Sequence, residues 1–82
     1  MLNVKVKYFA LYQELKSKKE EEIVLSEPID IKTLFFKLME EVPLKEQYFM
    51  ATLCACNYRY VSAETIIQSG DEIAFIPPIA GG

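Results

Sequence analysis

The sequence predicts an α+β fold, a mixed sheet with one main helix packed across it, and three observations carry that prediction. Residues Leu2 to Phe9 alternate as a half-buried strand does, with Leu2, Val4, Val6 and Tyr8 on one side and Asn3, Lys5, Lys7 and Phe9 on the other. Ile31, Leu34, Phe35, Leu38 and Val42 recur at i, i+3, i+4, i+7 and i+11, the stripe of a helix lying on a sheet. The other apolar segments are strand-sized, turn signals separate them, and no internal repeat links them. A sheet that must cover one face and a helix with one apolar stripe bury each other in a two-layer domain.

Taken in order, the first strand faces the core with Leu2, Val4, Val6 and Tyr8. A short helix or turn follows over Ala10 to Ser17, where Leu11, Tyr12 and Leu15 stand at helical spacing. The charge run from Lys16 to Glu22 switches sign midway and reads as a solvated loop. A second strand is expected at about Glu22 to Leu25, joined to the first by a wide connection because no tight-turn dipeptide lies between them. Asp30 offers an N-cap for the main helix, which runs to Pro43 with Lys32, Lys37, Glu40 and Glu41 on its wet side. Leu44 to Met50 suggests a short helical turn. Strands at Thr52 to Cys56 and Arg59 to Val61 flank a turn at Asn57-Tyr58. After the irregular stretch Ser62 to Gln68, the turn Ser69-Gly70-Asp71 precedes the last strand, Glu72 to Ile76, with Ile73 and Phe75 toward the core.

Composition narrows the function classes. Eighty-two residues make one small domain, and 51% hydrophobic residues is too apolar for a disordered chain. The net charge is −3 and the basic residues form no aromatic-interleaved stripe, so nucleic acid is not an expected partner. No apolar run approaches the roughly 20 residues of a membrane span, so no membrane is expected and the expected location is cytoplasmic. Cys54 and Cys56 are expected as reduced thiols, on opposite faces of a strand and one of them in the core. With no histidine in the chain they form no metal site. The absence of histidine, of a phosphate loop and of a serine with a base beside it leaves no catalytic constellation, so no active site of its own is expected.

What stands out is the last stretch. Pro77 and Pro78 lack N–H donors, so the last strand cannot continue its ladder past Ile76. The expected division is therefore a domain over 1–76 and an extended tail over 77–82. Six residues reach roughly 20 Å. Ile79 is suited to an apolar groove, while Ala80, Gly81 and Gly82 are slim enough for a narrow channel, at whose end the α-carboxyl of Gly82 would meet another protein's active site. Two successive glycines at one given place arise by chance in roughly 0.5% of chains at average usage. Phe9, Tyr58, Tyr60 and Ile76 are apolar on faces that should be wet, a candidate partner surface at the tail's root.

These residues resemble a known family. Val4 to Ala10 with Glu14-Leu15, the Asp30-capped helix, Cys56 to Ser62, and above all Gly70 to Gly82 are similar to the small, sulfur-carrying subunits of molybdopterin synthase. The resemblance implies a ubiquitin-like β-grasp roll of about five strands with one main helix. It also implies that Gly82 is adenylated by an activating enzyme similar to ubiquitin-activating enzymes, which uses ATP, and is then converted to a thiocarboxylate with sulfur from a donor protein. No cofactor is implied as permanently bound. The implied partner is the large subunit, in a heterotetramer of two small and two large subunits, with Phe9, Tyr60 and Ile76 as apolar contacts and Pro77 to Gly81 as the inserted tail. Ile76 and Tyr60 stand where aromatic and aliphatic residues, respectively, are more typical. A thiamine-pathway sulfur carrier and a ubiquitin-like modifier of lysines are the alternatives.

Overall fold

The computed structural model describes residues 1–78. The elements run β1 (Leu2–Tyr8), α1 (Leu11–Lys16), β2 (Glu20–Leu25), α2 (Ile31–Leu38), α3 (Lys45–Met50), β3 (Leu53–Cys56), β4 (Arg59–Tyr60) and β5 (Glu72–Ile76). The strands form one mixed sheet in the order β2-β1-β5-β3-β4. Only the central pair, β1 and β5, is parallel; it aligns Val6 with Ile73 and Tyr8 with Phe75, so the two apolar faces coincide. The antiparallel neighbours are β2 on β1, β3 on β5 and β4 on β3.

One face of this sheet carries the core. Val4, Val6, Tyr8, Ile73 and Phe75 point inward, and Ile31, Leu34, Phe35 and Met39 come down on them from α2 and its C-terminal end, each at most 2% exposed. Phe35 is the hub, with ring centroids 5.2 Å from Phe75, 5.7 Å from Tyr12, 5.6 Å from Phe36 and 5.1 Å from Phe49. The edge-on and tilted geometries set ring edges against ring faces, which favours each contact beyond the area it buries. Asp30 caps α2 as its sequence position predicts, Oδ1 accepting from Thr33 N–H at 2.8 Å.

Four sequence expectations are corrected. The main helix ends at Leu38, well before Pro43, because Met39 leaves helical geometry and Lys16 Nζ donates to the free carbonyl of Leu38 at 2.6 Å. The apolar stripe outlasts the helix because a turn, Val42 N–H to Met39 O, keeps Val42 against the core. The acidic half of the charge run is not loop but the start of β2, where Glu20 and Glu22 stand opposite Lys7 and Lys5 of β1. Strand β4 stops at Tyr60 and does not reach Val61. Finally, Cys54 and Cys56 share the inner face, since strand pleating puts residues two apart on the same side; both are free thiols, Cys54 buried and Cys56 half-buried.

The irregular stretch before β5 has a definite job. Backbone bonds from Ile31 N–H to Thr65 O, Lys32 N–H to Ala63 O and Ile67 N–H to Ile29 O tie it to the start of α2 and drive Ile67 into the core. Gly70 then turns the chain at φ +90, a conformation that strains any residue with a Cβ, and donates its N–H to Asn3 O at 2.7 Å beside the start of β5.

Candidate functional site

The outer face of the sheet follows from the same alternation. It carries Glu20 and Glu22 on β2, Lys5 and Lys7 on β1, Glu72, Ala74 and Ile76 on β5, Leu53 and Ala55 on β3, and Tyr60 on β4, each set one position out of step with the core residues. Among the described residues no helix covers the centre of this face, and it divides in two. Toward β2 it is charged, in cross-strand lysine and glutamate pairs; toward β4 it is apolar.

Between the halves lies a depression of about 240 Å³. Ala55 and Ala74, directly opposite one another on β3 and β5, form its floor. Phe9, Tyr60 and Ile76 stand around it on the apolar side, and Tyr58, Lys7 and Glu72 close the other. The structure thus brings Phe9, Tyr60 and Ile76, singled out from sequence, around one concavity. Tyr58 and Tyr60 are 83% and 72% exposed and Phe9 41%, so the rings gathered around the concavity face solvent as one patch.

The charged end is internally matched. Lys7 Nζ lies 3.4 Å from a Glu72 carboxylate oxygen and 5.7 Å from the centre of the Tyr58 ring, where the ring's negative face attracts it. The hydrogen bond to Glu72 holds the Lys7 ammonium above its ordinary pKa. Glu72 is held below the usual carboxylate range first by the Tyr58 hydroxyl, which with help from Lys7 outweighs the opposing push of desolvation. Lys5 meets Glu20 at 3.7 Å, so both lysines of this face have acidic partners.

The hairpin turn that supplies Tyr58 is pinned to the start of β5. Asn57 and Tyr58 both adopt left-handed backbone angles, φ 52 and 69, as a two-residue hairpin turn requires. Asparagine tolerates this conformation; tyrosine does so at a cost. The Asn57 side chain accepts from Glu72 N–H at 3.0 Å and donates to Asp71 at 3.0 Å, while its backbone N–H bonds Glu72 O at 2.8 Å. Burial, and then the Asp71 carboxylate beside it, pushes the Cys56 thiol up to about 11, so Cys56 is no nucleophile at neutral pH.

At the end of β5 the chain passes Ile76 into Pro77, which is buried, and Pro78, which is exposed. Both prolines line a second, mostly apolar groove of about 610 Å³ between α1 and α3, with Leu11, Tyr12, Tyr48 and Ala51 opposite. Tyr12 is held there by its hydroxyl, 2.5 Å from Thr52 Oγ1, which in turn donates to Tyr48 O at 2.6 Å. Ala10, at φ 48 and ψ −121, turns the chain sharply between Phe9 and α1, so Phe9 and Ile76 line the first concavity while the next residues, Ala10 and Pro77, line the second. Ile79, Ala80, Gly81 and Gly82 lie outside the described residues. Among the described residues no group of three or more His, Cys, Asp or Glu side chains could hold a metal, and no helix is long and apolar enough to cross a membrane.

Comparison with known proteins gives this geometry a context. The sequence profile of the ThiS family matches residues 6–82. The chain belongs to the ThiS family. Among curated members, the molybdopterin synthase sulfur carrier subunit of Mycobacterium tuberculosis is 30% identical over 83 residues, covering 100% of both chains. Among solved structures, a putative molybdopterin converting factor subunit 1 from Pyrococcus furiosus superimposes with a TM-score of 0.76 at 29% identity, over 96% of this chain and 100% of that one. A chain of the protein–protein complex of subunits 1 and 2 of molybdopterin-converting factor from Helicobacter pylori gives 0.66 at 27% identity, over 99% of this chain and 100% of that one. The fold is accordingly the ubiquitin-like β-grasp that the resemblance implied.

Sequence reasoning missed three parts of the site. Ala55 and Ala74 passed as unremarkable small residues, although alanine on the solvent side of a strand, where it covers nothing, is itself a signal. The Lys7, Glu72 and Tyr58 cluster depends on β1 lying beside β5, a pairing that no local pattern encodes. The second groove needs α1, α3 and the prolines together, from three separate parts of the chain.

Proposed function

We propose that this ThiS-family chain is the sulfur-carrier subunit of a molybdopterin synthase and that the α-carboxyl of Gly82 is the group that carries sulfur. A carboxylate resists nucleophiles because its charge repels them and oxide is a poor leaving group. Transfer of AMP from ATP, with release of pyrophosphate, removes both obstacles; a ubiquitin-activating-like adenylyltransferase supplies this step. Sulfur from a donor protein then displaces AMP and leaves a thiocarboxylate. In the large subunit's active site the thiocarboxylate sulfur attacks a carbon of the pterin precursor as an oxygen substituent leaves, and water then cleaves the acyl–sulfur bond, returning the Gly82 carboxylate and leaving the sulfur on the precursor. Two such transfers supply the dithiolene. The chain contributes delivery: Pro77 and Pro78 lead the tail off the sheet, Ile79 and Ala80 seat it, Gly81 passes the narrowest point, and Phe9, Tyr60 and Ile76 dock on the large subunit, in an assembly of two small and two large subunits.

The observation that carries this reading is the match over the full length of both chains to a molybdopterin synthase sulfur carrier subunit. The Helicobacter pylori neighbour, solved as a complex of subunits 1 and 2, supports a large-subunit partner. Intact mass after incubation with ATP, the activating enzyme and a sulfur donor is expected to rise by about 16 Da, one oxygen replaced by sulfur. An unchanged mass with competent partners refutes the proposal. Copurification with a thiazole synthase would instead favour a thiamine-pathway carrier, and Gly-Gly remnants on target lysines a protein modifier.

A further inference from the structure

The outer face breaks a local rule at its centre. Alanine is depleted from strands because it gives its neighbours little to pack against, yet Ala55 and Ala74 stand opposite each other on two adjacent inner strands of the sheet, on the side away from the helices. The inner face loses nothing by this choice, and larger residues at both positions would cover more of the rings around them. What the alanines produce is a hole. Phe9, Ile76 and Tyr60 rise on one side of it and Tyr58 on the other, so the apolar patch is concave where a patch of ordinary strand residues would be flat.

The chemistry of the hole selects its occupant. At the polar end the Lys7 ammonium is already matched by Glu72 and by the face of the Tyr58 ring. A charged group arriving here would have to be desolvated beside a pair that has no free partner to offer it. The floor is methyl groups and most of the rim is apolar, which suits an uncharged hydrocarbon side chain. A volume of about 240 Å³ is on the scale of a side chain of leucine or phenylalanine size.

The geometry points to a socket for a single apolar knob of the large subunit, with Ala55 and Ala74 setting the depth to which the knob seats. This deepens the docking role proposed above and rests on it. Buried anchors in central pockets, ringed by contacts that exclude water, carry most of the affinity of protein interfaces. Here the anchor has a second consequence. Ile76 is both a wall of the socket and the last residue of β5, so a seated knob fixes the sheet within one residue of Pro77, where the tail departs. Socket depth therefore sets affinity at a point next to the tail's root.

The test is calorimetric titration of the full chain into the large subunit, with the wild type, Ala74→Leu and, as a control on the same face but outside the socket, Val24→Leu. Ala74→Leu is expected to weaken binding by about 30-fold or more, the loss typical of a blocked anchor. Val24→Leu should stay within about threefold of wild type. Each exposed aliphatic and aromatic residue of the large subunit is then truncated to alanine in turn. One truncation, the knob, should weaken binding to wild type yet restore binding to Ala74→Leu, a coupling that general loss of apolar area does not produce. Binding of Ala74→Leu at wild-type strength, or rescue by no single truncation, overturns the socket while leaving the docking role intact. If the wild type fails to bind the large subunit at all, the functional reading falls and the socket's assignment with it. A wild-type dimer made monomeric by Ala74→Leu would place a second copy of this chain in the hole and overturn the assignment to the large subunit.

Discussion

The two faces of the sheet are built from the same strands and do different work. On the inner face Val4, Val6, Tyr8, Ile73 and Phe75 are each at most 2% exposed and meet the aromatic cluster around Phe35. On the outer face, one residue out of step, Lys7, Glu72, Ala74 and Ile76 surround an open hole, and Tyr58 and Tyr60 remain mostly exposed. The inner face supplies the stability of a chain too small to spare core contacts. The outer face spends apolar surface where it stabilises nothing in the free chain. Substitutions on the two faces should therefore separate folding from recognition.

The largest effect is expected inside. Phe35→Ala removes the ring that joins α2, α1, α3 and β5, at a cost of about 3–5 kcal/mol for a large aromatic in a closed core. Against a total stability of roughly 5–15 kcal/mol, this should abolish or nearly abolish the folded state, as read by urea unfolding. A loss below about 1 kcal/mol would mean that the cluster is not the centre of stability.

Outside, the same kind of truncation should leave folding alone. Tyr60→Ala is expected to change stability by no more than about 0.5 kcal/mol, because its ring covers little in the free chain. Its affinity for the large subunit should nevertheless fall by about 2 kcal/mol. A variant that loses stability and binding in parallel would erase the distinction between the faces.

Tyr8→Phe tests the edge where the inner face meets water. The Tyr8 hydroxyl donates to the Glu21 carboxylate, which Lys18 Nζ also reaches at 3.3 Å. Burial pushes Glu21 up, but the Tyr8 and Lys18 hydrogen bonds outweigh it and hold its carboxyl below the ordinary value. A lowered folded pKa gives stability that is present above the unfolded pKa and lost as pH falls through the folded one. Tyr8 is shifted the other way, first by burial and then by Glu21, so its contribution is present below the ordinary phenol pKa and declines as pH rises above it. Losing the hydroxyl should cost about 1–2 kcal/mol at neutral pH. It should also flatten both limbs of the stability profile, so that wild type and variant converge in acid and in strong alkali. Urea unfolding across the pH range reads all three changes, and an unaltered acid limb would exclude the Tyr8 to Glu21 bond as its source.

Patterns that repeat along the chain were legible before any coordinates. The alternation of β1, the Asp30 cap, the core roles of Ile73 and Phe75 and the apolar wet-side residues Phe9, Tyr60 and Ile76 are all local, and each sits where its spacing puts it. What escaped was set by neighbours distant in sequence. The start of β2 at Glu20 depends on lysines in β1, the end of α2 on a lysine in α1, and the burial of Ile67 on backbone bonds to Ile29. The strand order behind the socket was likewise beyond periodicity and came from resemblance alone. The cysteine expectation failed differently: strand alternation itself puts Cys54 and Cys56 on one face.

Glu72→Gln carries the smallest expected effect and makes the sharpest statement about the outer face. The substitution keeps the shape of the side chain and removes the charge that pairs with Lys7. If that pair held the sheet together, the melting temperature would fall, and fall less in high salt, where the wild-type pair is already screened. Partly exposed ion pairs give up much of their attraction to solvent and to side-chain entropy, so the melting temperature should stay within error at low and high salt alike. Glu72 is held below its ordinary pKa, so any contribution it makes is present at neutral pH and vanishes on acidification; wild type and variant should converge there. The Lys7 amine should titrate lower in the variant, a change that NMR reads directly, because its strongest support is the bond to Glu72. An unchanged melting temperature with a shifted Lys7 would place this pair among the groups that shape the rim of the socket and outside those that hold the fold.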